Sequence, residues 1–116
     1  MADEQKQLLQ QVEAVLEADD TLALDRLLKE QRSSDIAEIV ELLDDEQRRT
    51  IFDVLEISLA AEVLEKVDEA TRSELFEILK VEELKSIISQ LDADDAADIL
   101  QAFARFSASI INVCQY

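Results

Sequence analysis

Apolar residues recur along this chain with a period of 24, and that period limits the fold more than any other feature. One copy holds Ile36, Ile39, Val40, Leu43, Asp44, Ile51, Phe52 and Leu55. The next holds Ala60, Val63, Leu64, Val67, Asp68, Leu75, Phe76 and Leu79, and a third Leu84, Ile87, Ile88, Leu91, Asp92, Ile99, Leu100 and Phe103. A worn copy precedes them through Val12, Val15, Leu16, Asp20, Leu27 and Leu28, with Asp19 and Gln31 breaking its register. Within a copy, four apolar residues span two helical turns, an Asp follows, and a second amphipathic helix begins. The Asp suits an N-cap, where its carboxylate accepts a bond from an unpaired backbone N–H. A helix–turn–helix unit of this kind cannot bury its apolar face alone. Side-by-side stacking of units solves that problem and predicts an all-α fold, a right-handed α-solenoid of short repeats like those of armadillo and HEAT proteins.

In chain order the pattern predicts eight helices. The first runs from Asp3 to Ala18, and Asp20 caps the second, with Leu22, Leu24, Leu27 and Leu28 facing in. Ser33 or Ser34 is expected to cap a helix from Asp35 to Leu43, and Asp44 leads the helix carrying Ile51 and Phe52. Ser58 precedes Leu59–Val67, Asp68 leads Thr71–Leu79, Val81–Leu91 follows, and Asp92 opens the last. The chain has no Gly and no Pro, so Asp, Ser and short connections must make the turns. The repeat domain is assigned to residues 1–103. Residues 104–116 lack its register and almost all charge; they either extend the last helix or cover the open end of the array.

A formal net charge of −17 argues against nucleic acid and against anionic membrane surfaces, and favours cations or basic partners. Its plainest meaning is a solvated acidic surface. With no His and one Cys, Cys114, imidazole or thiolate metal sites within one chain are excluded. A nucleophile–base pair and a glycine-rich phosphate loop are likewise missing, so the chain is not read as an enzyme. No secretory signal and no bilayer-length apolar run is visible, which predicts a cytoplasmic chain that does not itself insert into a membrane.

The last repeat carries the densest chemistry. Asp94 and Asp98 lie four apart on the face opposite Ala96, Ile99, Leu100 and Phe103, so two carboxylates project side by side. Asp95 is expected in the first turn, against the positive end of the helix dipole. Glu62 points away from the inner face formed by Ala60, Val63, Leu64 and Val67, and a surface pair with Lys66 is its ordinary alternative. Asp94 and Asp98 read equally as solvated acids.

The phrases Ser34–Leu43, Leu59-Ala60-Ala61-Glu62-Val63-Leu64 and Leu91-Asp92-Ala93-Asp94-Asp95-Ala96-Ala97-Asp98-Ile99-Leu100 resemble the cytosolic N domain of MgtE-type magnesium transporters. The resemblance covers about Asp20 to Phe103. It implies a helical superhelix that, in a full-length transporter, precedes tandem CBS domains and a membrane domain. It further implies a magnesium-sensing regulatory role at the cytoplasmic face of the membrane. Weakly bound interfacial Mg2+ would bridge acidic faces to the CBS domains and hold the channel closed. By motif position, Glu62, Asp94 and Asp98 match interfacial acidic residues of that family. CBS and membrane segments are not in this sequence, so it is expected to be a fragment, a truncated product or a free-standing relative. The competing reading is a protein-interaction scaffold of helical repeats, similar to part of the flagellar motor switch protein FliG, with no metal role.

Overall fold

The structure, a computed structural model, describes the backbone of residues 3–114 and the side chains of residues 4–107. It is all-helical over that range: α1 (Asp3–Ala18), α2 (Thr21–Lys29), α3 (Ser33–Leu42), α4 (Asp45–Val54), α5 (Ile57–Lys66), α6 (Glu69–Ile78), α7 (Val81–Ile88) and α8 (Ala93–Cys114).

The 24-residue period sets how these helices stack. α1, α3, α5 and α7 pack in sequence as one layer, and α2, α4, α6 and α8 as a second. Each helix therefore meets the helix two places on, and α1–α2, α5–α6 and α7–α8 also pack as hairpins, the contact pattern of a repeat array. The radius of gyration is 14.6 Å, somewhat above the roughly 13 Å of a compact domain of this length. The inner faces form one continuous core. Ile36, Ile39 and Val40 of α3, Ala60, Val63 and Leu64 of α5, and Leu84 and Ile87 of α7 are buried, as are Ile51, Leu75 and Ile99 in the even layer. Each large aliphatic side chain so buried contributes about 1.5–3 kcal/mol.

Three of the even helices are capped as the sequence predicts. Asp20 Oδ1 accepts the Ala23 N–H at 3.1 Å, Asp44 Oδ1 that of Gln47 at 2.8 Å, and Asp68 Oδ1 that of Thr71 at 2.7 Å. Gln47 Oε1 in return accepts the Asp44 N–H at 3.1 Å, which closes a capping box. Asp92 immediately precedes α8, and its backbone carbonyl accepts the Ala96 N–H at 2.8 Å.

The odd helices start differently, which corrects the expectation for the serines. α3 begins at Ser33 after Arg32, and α5 begins at Ile57 after Glu56; neither preceding side chain makes a cap bond. Ser34 and Ser58 lie inside their helices rather than at N-cap positions. Arg32, Glu56 and Lys80 are register equivalents. All three have extended backbone, so the chain turns there through a long charged residue rather than a short capping one. At Lys80, the N–H donates to Glu83 Oε1 at 3.1 Å. α7 ends at Ile88, earlier than the apolar pattern suggests.

Without glycine, the turn after α1 places Asp19 at φ 57°, the left-handed region that Asp tolerates better than most residues. Its N–H donates to Leu16 O at 3.1 Å and that of Asp20 to Val15 O at 3.3 Å, so the last carbonyls of α1 are satisfied.

Two arginines close the odd helices. Arg48 is only 4% exposed. Its Nε donates to Val40 O at 2.8 Å and its Nη2 to Glu41 O at 3.3 Å, both at the end of α3. Its Nη1 meets Glu74 at 2.9 Å and Asp45 at 3.3 Å. Arg72, 24 residues on, repeats the arrangement on α5, donating to Leu64 O at 3.0 Å and to Glu65 O at 2.6 Å. A planar guanidinium reaches two carbonyls of a helix end at once, which a lysine does not. Position 96 is next in that register and holds Ala96. α7 closes instead through tightened bonds, Gln90 N–H to Ile87 O and Leu91 N–H to Ile88 O, both at 3.1 Å.

Two apolar residues expected to face inward do not. Leu22 is 72% exposed, and Leu100 is 51% exposed where its register equivalents Phe52 and Phe76 are 6% and 4%. Phe76 is covered by Phe103 and Phe106 of the next even helix, and among the described residues no helix follows α8 to do the same for Leu100. α8 runs unbroken past Phe103 to Cys114, so residues 104–114 extend the last helix. Phe103 and Phe106 pack back on Phe76 with ring centroids 5.3 and 5.6 Å away, the former edge-to-face. The side chain of Cys114 lies outside the described residues.

Candidate functional site

Glu62 is exposed on α5, and Asp94 and Asp98 are exposed on the first two turns of α8. A cleft lies between α5 and the α7–α8 turn, lined in part by Glu62, Glu65, Lys66, Asp92 and Asp95. The fold thus joins Glu62 to Asp92 and Asp95 in one concavity, while Asp94 and Asp98 sit outside its lining. Among the described residues, no three His, Cys, Asp or Glu side chains converge closely enough to hold a metal ion by themselves.

Asp95 does more than complement a helix dipole. It lines the cleft beside Glu65 of α5. Burial first, and then the charge and hydrogen bond of Asp95, push the Glu65 carboxyl above the usual glutamate range; Lys66 and Arg72 partly offset this.

The repeat explains why this turn is more negative than the one before it. Thr71 is the register equivalent of Asp95, and Arg72 that of Ala96. In the preceding repeat, Glu41 Oε2 accepts the Asp68 N–H at 2.9 Å beside a neutral Thr71, and Arg72 closes the end of α5 at that turn. In the third repeat, the equivalent Glu65 faces a carboxylate, and the arginine is gone from position 96. Thr to Asp adds a negative charge and Arg to Ala removes a positive one, so each makes the local charge one unit more negative. The sequence carried that signal in its 24-residue register; reading Asp95 as a helix-start residue alone missed it.

The opposite device lies across α4, α6 and α7. Arg49 donates to Asp53, to Glu83 at 2.8 Å and to Ile78 O at 3.2 Å. The Arg49 hydrogen bond holds the Glu83 carboxyl below its usual range. Asp68 is likewise lowered by the backbone N–H of Thr71.

These shifts give a pH dependence of definite sign. Glu65 binds its proton more tightly in the folded chain, so stability grows as the pH falls through its raised value. Glu83 and Asp68 bind theirs less tightly, so their contribution is present at neutral pH and is lost as the pH falls through their lowered values. Urea midpoints are expected to rise as the pH falls from neutral through the raised Glu65 range and to fall again once Glu83 and Asp68 protonate. Glu65→Gln should raise the midpoint at neutral pH and flatten the rise. A profile for Glu65→Gln that parallels the parent chain would contradict the raised Glu65 carboxyl.

With this geometry established, comparison with known proteins decides the family. The model of the MgtE intracellular N domain matches residues 31–109, well over half of the chain. The chain belongs to the MgtE intracellular N domain family. A solved structure, the cytosolic domain of the Mg2+ channel MgtE in complex with ATP, matches at a TM-score of 0.73 and 30% identity. That match covers 86% of this chain and 42% of the other, so the chain spans less than half of that relative's length. No curated protein matches significantly. The MgtE N domain match takes in α3 through the first part of α8, and so includes Glu62, Asp94, Asp98 and the acidic cleft. Among the described residues, no helix is long and apolar enough to cross a membrane.

Proposed function

We propose that this MgtE N domain is the magnesium-sensing regulatory domain of a magnesium transporter, and that its acidic face docks on partner CBS domains through bridging Mg2+ to stabilise the closed channel. The observation that carries the reading is the excess negative charge built into the third repeat, where Asp95 and Ala96 stand in place of Thr71 and Arg72. Glu62 borders the cleft thus formed, and Asp94 and Asp98 extend the acidic face along α8.

The donor set suits the ion. Mg2+ takes carboxylate and water oxygens and often keeps several waters, so one or two carboxylates from each of two surfaces suffice. Glu62, Asp94 and Asp98 supply one half of such a site, and the acidic partner surface supplies the other. The exposed carboxylates keep their hydration and their mutual repulsion when undocked. Docking without a cation would press two negative surfaces together at a cost of several kcal/mol. Bridging binds both surfaces only in the docked arrangement, and that difference in affinity between the two states lets the ion shift the equilibrium. As magnesium falls, repulsion separates the faces and the domain is released. Residues 104–116 are assigned no part in this contact.

The test is the affinity of the chain for the tandem CBS domains of an MgtE-type transporter, measured by analytical ultracentrifugation across a magnesium series at constant ionic strength. Association should require magnesium, and Glu62→Gln, Asp94→Asn and Asp98→Asn together should weaken it at least about tenfold, the equivalent of roughly 1.4 kcal/mol. Association indifferent to magnesium and to these substitutions would instead identify a helical-repeat scaffold that docks by its other surfaces.

A further inference from the structure

We draw no further inference here: the strongest candidate, the cleft between α5 and the start of α8 lined by Glu62, Glu65, Lys66, Asp92 and Asp95, is an acidic cluster that belongs to the site already described, with no independent observation pointing to a further ligand.

Discussion

Replacing Arg48 by Ala is expected to lower the stability of the folded chain by about 3 kcal/mol, since it strips charge-assisted bonds from two helix-end carbonyls and leaves a buried gap. The Val40 and Glu41 carbonyls lose their guanidinium donors, and Glu74 loses its partner across the α4–α6 packing. For a domain whose total stability is on the order of 5–15 kcal/mol, that is a large share. Urea unfolding monitored by circular dichroism measures it. Glu74→Gln is the control: Glu74 is 52% exposed on its side chain, and an exposed partner contributes no more than about 1 kcal/mol. Arg72→Ala should cost less than Arg48→Ala, because Arg72 is only half-buried. Equal and small effects for Arg48→Ala and Glu74→Gln would show that Arg48 is an ordinary surface charge and that the helix ends need no guanidinium.

Leu64→Ala is expected to cost about 3–4 kcal/mol, within the range for a fully buried leucine whose neighbours relax only in part. Leu64 is inaccessible to solvent on α5, the helix that packs between α3 and α7. Leu100→Ala, at a half-exposed position of the same repeat pattern, should change stability by less than about 1 kcal/mol. The contrast tests the array itself, since Leu64 lies on a helix packed between two others and Leu100 on the last even helix of the described residues. Comparable losses at both positions would mean that Leu100 is covered in solution.

Much of this fold is legible in the sequence because the repeat is a statement about burial. The 24-residue spacing of Ile39, Val63 and Ile87 identifies the odd-layer core, and that of Ile51, Leu75 and Ile99 the even-layer core. Asp20, Asp44 and Asp68 mark helix starts because a short carboxylate has little reason to recur just before an apolar stripe except as a cap. The starts of the odd helices were not legible. Their preceding residues, Arg32, Glu56 and Lys80, have no shared capping chemistry, and nearby serines made a more familiar signal. Arg48 and Arg72 were hidden by their charge, since an arginine in an acidic chain reads as a solvated counterion. Only their fixed distance from the preceding helix end pointed inward. At the candidate site, the exposure of Glu62, Asp94 and Asp98 follows from helical periodicity. The approach of Asp95 to Glu65 does not, because it depends on where the α7–α8 turn settles against α5. Leu22 and Leu100 show the limit of a periodic pattern: it identifies an apolar face but not whether another helix arrives to cover it.

Glu62, Asp94 and Asp98 are proposed to form one half of a magnesium site. The most direct test is an amide NMR titration of the chain with magnesium at constant ionic strength, with sodium as the control and an Asp94→Asn, Asp98→Asn double variant alongside. A half-site gives weak but saturable shifts centred on Glu62 and the start of α8, absent with sodium and lost in the variant. Diffuse shifts that match those from sodium and persist in the variant would contradict it, and would reduce the acidic face to general screening of a highly charged surface.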